Sequence, residues 1–124
     1  MKQTVLVIDD EKNLCELLEE TLYASGFSVI SAGTVAAGLE IALAQPPDLV
    51  LCDVLLPDGI GFDAARALND HPLTRHVPVV MMTGNPDAQD HVDAAGRELL
   101  LKPFTMPFLV ETVQQTVHPD LARN

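Results

Sequence analysis

TVLVIDD, residues Thr4 to Asp10, sets an unbroken apolar run directly against two consecutive acids. Four further stretches read as strands: SVISA (Ser28–Ala32), LVLC (Leu49–Cys52), VVMM (Val79–Met82) and ELLL (Glu98–Leu101). SVISA is the most polar. The other runs are nearly continuous in apolar residues, which suits strands covered on both faces, as in a parallel sheet flanked by helices. The segments between them carry helical periodicity. Leu14, Leu17, Leu18, Thr21 and Leu22 fall on one helical face, and Gly26 follows as a stop signal. Val35, Leu39, Ala42 and Leu43 repeat the pattern after Thr34, a candidate N-cap, and Pro46 and Pro47 end that helix. Phe62, Ala65 and Leu68 mark a third helix. Ala88 to Ala95 is a weaker fourth, and Met106, Leu109, Val110, Val113 and Val117 mark the last.

Strand and helix therefore alternate, and βα units with right-handed crossovers follow. The expected architecture is α/β: a doubly wound five-stranded parallel sheet in the order 2-1-3-4-5, flavodoxin-like, with helices on both faces. A length of 124 residues suits one domain. That domain is expected to span residues 1–124, with its packed part at about 4–117 and a frayed tail at 118–124. With 48% hydrophobic but only 4% aromatic residues, the core has to be aliphatic.

A formal net charge of -11 repels phosphate backbones, so direct nucleic-acid binding is not expected, whereas metal cations and basic partner surfaces are attracted. No apolar run approaches the roughly 20 residues of a membrane span. The first residues lack the apolar length of an export signal, so a cytoplasmic location is expected. Cys15 and Cys52 have no metal-like spacing to another ligand and read as reduced, buried thiols. Nor do the four histidines show ligand spacing.

In open α/β sheets, ligands bind beyond the carboxyl ends of the strands. Asp9 and Asp10 follow the first run, Asp53 the third, Thr83 and Gly84 the fourth, and Lys102 and Pro103 the fifth. In the order 2-1-3-4-5 the first and third strands are neighbours, so three carboxylates share one small pocket. Two like charges about 4 Å apart repel by roughly 4 kcal/mol at an effective dielectric near 20. A divalent ion such as Mg²⁺, which favours hard oxygen ligands, offsets that repulsion, with Lys102 adding positive charge. A proton taken up by one aspartate is the alternative.

VLVIDD (Val5–Asp10), LVLCDVLLPDGIG (Leu49–Gly61), VPVVMMTG (Val77–Gly84) and LLKPF (Leu100–Phe104), in this order, resemble the signatures of bacterial response-regulator receiver domains of two-component signalling. The resemblance covers nearly the whole chain, from about Thr4 to about Val117. It implies that Asp53 accepts a phosphoryl group from a phosphohistidine, so that a sensor histidine kinase or a histidine phosphotransfer protein is the upstream partner. Asp10 and Asp53 would bind Mg²⁺ (or Mn²⁺) directly, together with the carbonyl of Leu55, and Asp9 would act through a metal-bound water. Thr83 and Lys102 would each bind a phosphoryl oxygen, and Gly84 would leave room for the donor. A cis Lys102–Pro103 bond would bring the lysine to the pocket. The domain would be a signalling phosphoacceptor that catalyses only its own phosphorylation and dephosphorylation. It would signal to a downstream protein, or through a phosphorylation-dependent homodimer, by the face around the fourth helix, fifth strand and last helix.

The chain departs from the family pattern at three places, one of them Leu55, apolar where family members vary, which with Asn85 would flank the path of the hydrolytic water and imply a longer phosphoryl lifetime than in fast-signalling relatives. Leu99 stands where a switch aromatic is usual, three residues before the lysine. Ile60 occupies the position before the last loop glycine where an acid is usual, and Asp58 lies two residues earlier. A phosphatase of the haloacid-dehalogenase type would need a general acid where Leu55 stands. A flavodoxin would need a Ser/Thr/Gly-rich loop where this chain has DDEKN. A pseudo-receiver, a scaffold that never takes phosphate, is the remaining rival reading.

Overall fold

The computed structural model describes residues 2–85, 87 and 98–118. Strands β1 (Thr4–Ile8), β2 (Ser28–Ala32), β3 (Leu49–Asp53), β6 (Val79–Thr83) and β7 (Glu98–Leu101) form one sheet in the order β2-β1-β3-β6-β7, with every neighbouring pair parallel. Two short strands, β4 (Leu55–Leu56) and β5 (Gly59–Ile60), pair antiparallel with each other outside it. Counting only the main sheet, the order is the expected 2-1-3-4-5.

Helices α1 (Lys12–Ala24), α2 (Val35–Ala44), α3 (Gly61–Asp70) and α4 (Met106–Val117) are the described helices. They lie on both faces. Successive strand residues point to opposite sides of a sheet. Val5, Val7, Leu49, Leu51, Val80, Met82 and Leu100 therefore meet Leu18 and Leu22 of α1 and Leu109 and Val113 of α4. Leu6, Ile8, Val50, Cys52 and Met81 turn the other way, toward Ala42, Ala64, Ala65 and Leu68. Both sides of β1 and β3 are closed off, so their runs have no polar alternation. The cysteines are free and buried in opposite layers, Cys15 with the first group and Cys52 with the second.

Helix faces differ from expectation where small residues decide the packing. The buried stripe of α1 is Cys15, Leu18 and Leu22, and Leu17 is exposed. Leu17 lies two residues from Cys15, about 200° around the helix, so both cannot face the sheet. On α2 the buried positions are Gly38 and Ala42, while Leu43 points outward. A Cβ at Gly38 would come within 2.5 Å of Ile8 Cδ1, so the bare backbone of α2 rests on β1. Thr34 caps α2 by accepting from the Ala37 N–H at 3.1 Å, and Gly26, at φ +96°, turns the chain out of α1 in the left-handed region. The predicted helix over Ala88–Ala95, and the tail beyond His118, lie outside the described residues.

The β4–β5 hairpin replaces what reads in sequence as a plain loop. Leu55 pairs with Ile60, and both side chains are exposed, while Leu56 enters the core. Directly after it, the Gly61 N–H donates to the Val54 carbonyl, and α3 begins hard against the end of β3. A Cβ at Gly61 would overlap the Asp53 carbonyl oxygen and press on Cys52 Sγ at 3.0 Å. Gly61→Ala is therefore expected to lower stability by about 1–3 kcal/mol in urea denaturation. At Gly59 the nearest atom to an added Cβ is Val35 Cγ2 at 3.8 Å, an ordinary contact. Gly59→Ala should stay within about 0.5 kcal/mol of wild type.

Candidate functional site

The ends of β1, β3, β6 and β7 converge on one acidic pocket. Parallel pairing of β1 with both β2 and β3 brings the Asp9–Asp10 pair beside the end of β3. Carboxylate oxygens of Asp9, Asp10 and Asp53 all lie within 4.8 Å of one another. The three environments differ. Asp9 is buried, Asp53 half-buried and Asp10 exposed.

Asp9 is held on every side. Its N–H donates to the Ala32 carbonyl at 2.9 Å, its Oδ1 accepts from the Glu11 N–H at 2.8 Å, and its Oδ2 accepts from Lys102 Nζ at 2.8 Å. The same ammonium lies 3.6 Å from Asp53 Oδ2. Lys102 reaches this point because its N–H donates to the Thr83 carbonyl at 2.8 Å and its bond to Pro103 is cis. Thr83 is buried at the end of β6, next to Met82, which pairs with Asp53; its Oγ1 accepts from the Asn85 N–H at 3.1 Å. Leu55 aims its N–H at the Asp53 carboxylate and its side chain into solvent. Gly84 is exposed, and an added Cβ would meet no described atom within 4 Å. Leu99 is half-buried beside Met81, its partner across the sheet, and packs on the layer that holds Cys52.

The electrostatics reflect an excess of negative charge. Burial pushes the Asp53 carboxyl above the ordinary aspartate range, the Lys102 charge opposes this and the Asp9 charge adds to it. For Lys102, burial alone would lower the ammonium's pKa. The hydrogen bond to Asp9 and the charges of Asp53, Asp9 and Glu11 together outweigh it and raise the value. Burial, then the Asp53 and Asp9 charges, lift the Cys52 thiol to about 12, and burial with Asp9 foremost among nearby charges lifts Cys15 to about 11. Both thiols stay protonated at neutral pH and are poor nucleophiles.

One ammonium against three carboxylates leaves negative charge uncompensated in the cluster. An all-oxygen donor set of this kind suits a hard divalent cation of the Mg²⁺ class. Two details were not visible in the sequence. Lys102, expected at the acidic pocket, takes Asp9, 93 residues away, as its nearest partner. Asp58 accepts the first N–H groups of α2. The first needs the fold to bring its partners together. For the second, an exposed acid after a proline carries no signal of a helix start 23 residues upstream.

Residues 5–114 match the sequence profile of the response regulator receiver domain. Over 107 residues, 84% of the chain, it is 36% identical to the response regulator PleD of Caulobacter vibrioides. The chain spans about a quarter to a half of the length of the curated relatives it matches first. Among solved structures, a response regulator from Chloroflexus aurantiacus superposes with a TM-score of 0.88 at 32% identity, covering 94% of this chain and 98% of that one. The receiver domain of the sensor histidine kinase PA1611 from Pseudomonas aeruginosa, solved with a magnesium ion coordinated in its active-site cleft, gives 0.85 at 25% identity and covers 94% of this chain and 98% of its own.

The raised pKa of Asp53 has a testable sign. An acid whose folded pKa lies above its unfolded value costs stability once ionised, and the cost vanishes as pH falls through both values. In chelator-treated protein, Asp53→Asn is expected to raise the melting temperature at pH 7. The gain should shrink as the pH falls through the raised pKa of Asp53 toward the ordinary aspartate range. A pH series of thermal melts on the two proteins checks this.

Proposed function

The chain belongs to the response regulator receiver domain family, and from that membership we propose that it takes a phosphoryl group from a phosphohistidine donor onto Asp53. Asp9, Asp10, Asp53 and the backbone carbonyl of Leu55 would hold Mg²⁺ or Mn²⁺, Asp9 through a bound water. The observation that carries this reading is the shared pocket: three carboxylates within 4.8 Å of one another, faced by an ammonium 2.8 Å from one and 3.6 Å from another. The related Pseudomonas receiver with magnesium in its cleft supports the choice of ion.

In the transfer, an Asp53 carboxylate oxygen attacks phosphorus. The new O–P bond forms as the N–P bond to the donor imidazole breaks, and the imidazole nitrogen keeps that electron pair and takes a proton from solvent. Phosphoryl transfer depends on positioning and charge neutralisation more than on covalent assistance. A divalent cation, when bound, supplies most of that neutralisation. Lys102, already beside Asp53, pairs with one phosphoryl oxygen. Thr83 donates to another. Its Oγ1 now accepts from Asn85, which leaves the hydroxyl proton available for that bond. Gly84, exposed beside Thr83, leaves the approach to Asp53 unobstructed by a side chain. The product is an acyl phosphate, labile enough for a reversible signal. Its formation and hydrolysis are the only chemistry proposed, so the domain is a phosphoacceptor and not an enzyme acting on an external substrate.

Downstream, the modified domain would act in the cytoplasm on a partner protein, an attached module or a second copy of itself. It would do so through the face that includes β7 and α4, where Leu101 and Phe108 are exposed. Leu99 takes the place of an aromatic switch, so movement of Thr83 would be relayed by an aliphatic side chain. Direct contact with nucleic acid or membrane is not part of the proposal. No described helix is long and apolar enough to cross a membrane.

Intact-mass analysis after incubation with acetyl phosphate and Mg²⁺ tests the chemistry. A single phosphoryl adduct is expected on the wild-type chain, absent in Asp53→Ala and absent when EDTA replaces Mg²⁺. No adduct on the wild-type chain would overturn the proposal in favour of a scaffold that never takes phosphate.

A further inference from the structure

Asp58 lies outside the acidic pocket yet is tied to both of its walls. Its Oδ1 accepts from the Val35 N–H at 2.8 Å and its Oδ2 from the Ala36 N–H at 3.1 Å. These are first-turn donors of α2, which have no partner within their own helix. Thr34 takes the next one, Ala37. One end of α2 is thus capped twice, once by its own chain and once by a carboxylate from the loop after Asp53.

The consequence concerns the β4–β5 hairpin. Its base is fixed from below, since Leu56 is buried and Gly61 bonds Val54. Its tip, Pro57 to Ile60, lies at the surface. The Asp58 carboxylate joins that tip to α2, and Gly59 sits against Val35 at the same place. Residue by residue, the chain of contacts closes a ring. Asp53 receives the Leu55 N–H, the hairpin leads to Asp58, and Asp58 grips the start of α2. Ala32, at the end of β2 and three residues before α2, accepts the Asp9 N–H at 2.9 Å, and Asp10 follows directly. The ring therefore links the backbone that carries Asp53 and Leu55 to the backbone that carries Asp10, across two different strands.

We propose that Asp58 is a positioning residue for the divalent-cation site, holding the Leu55–Asp53 side of the pocket at a fixed distance from Asp10. This rests on the reading that Asp10, Asp53 and Leu55 bind the ion. Asp58 itself touches neither ion nor phosphoryl group. The backbone N–H groups of Val35 and Ala36 hold its carboxyl below the ordinary aspartate range, so the contact favours the charged form. Without the clamp the hairpin tip is free before the ion binds, and binding must re-order it.

Mn²⁺ serves as the probe, with the free ion counted by its EPR signal. In Asp58→Ala the dissociation constant for Mn²⁺ should rise about tenfold, the order expected if roughly one backbone residue must be fixed on binding. Asp58→Asn keeps one acceptor oxygen and should recover part of the loss. Thr34→Ala is the discriminating control. It removes the other cap of the same helix and should lower the melting temperature, while leaving Mn²⁺ affinity unchanged. If wild type binds Mn²⁺ and Asp58→Ala binds it equally well, or if Thr34→Ala weakens it as much, the positioning role is overturned and the metal site stands. If wild type itself binds no Mn²⁺, the metal reading fails, and the role proposed for Asp58 fails with it.

Discussion

Repulsion among Asp9, Asp10 and Asp53 is the constraint around which this molecule is arranged. At 4.8 Å and an effective dielectric near 20, each like-charged pair costs about 3 kcal/mol, with solvent screening reducing the share of exposed Asp10. Lys102 offsets part of it. Its ammonium is shared between Asp9 and Asp53, 2.8 Å from the first and 3.6 Å from the second. On the proposed function, a divalent cation would meet the remaining negative charge and would offset that of an incoming phosphoryl group. Burial first and the Asp9 charge second displace Asp53 upward against the Lys102 charge, and the neighbouring acids hold Lys102 above its ordinary value despite burial.

The scaffold keeps these groups from moving apart. Full burial of β1 and β3 on both faces fixes where the two acidic strand ends emerge. The bond from Lys102 N–H to the Thr83 carbonyl fastens the ends of β6 and β7 together, and the cis bond that follows turns the chain just after the lysine. Gly61 lets α3 start against the Asp53 carbonyl, and Gly38 lets α2 lie directly on β1. In each case a residue with no side chain permits a backbone approach that any other residue would block. An Asp58 clamp would add a reversible element to this otherwise rigid frame, since its partners are surface N–H groups rather than core contacts.

Much of this was legible in the sequence. Continuous apolar runs at Thr4–Ile8 and Leu49–Cys52 require cover on both faces, and that requirement leads to the parallel order. The strand ends then place Asp9, Asp10, Asp53, Thr83 and Lys102 on one edge. Three things were less legible. Leu17 and Leu43 count as apolar in a periodic pattern, yet close backbone approach and a small neighbour, Cys15 or Gly38, decide which face turns inward. The β4–β5 hairpin has only two-residue strands, too short for alternation to register. Asp58 lacks any local mark of its role, because its partners at Val35 and Ala36 become neighbours only when the sheet has formed.

Acids from two separate stretches of chain make one pocket that could hold a divalent cation. Thermal melts of wild type and Asp10→Asn across a Mg²⁺ titration test it most directly, because an ion that binds only the folded cluster stabilises the fold in proportion to the logarithm of its excess over the dissociation constant. The wild-type melting temperature should climb steadily through millimolar Mg²⁺, and that of Asp10→Asn should climb far less. A wild-type melting curve unmoved by millimolar Mg²⁺, or an equal rise in both proteins, would contradict it.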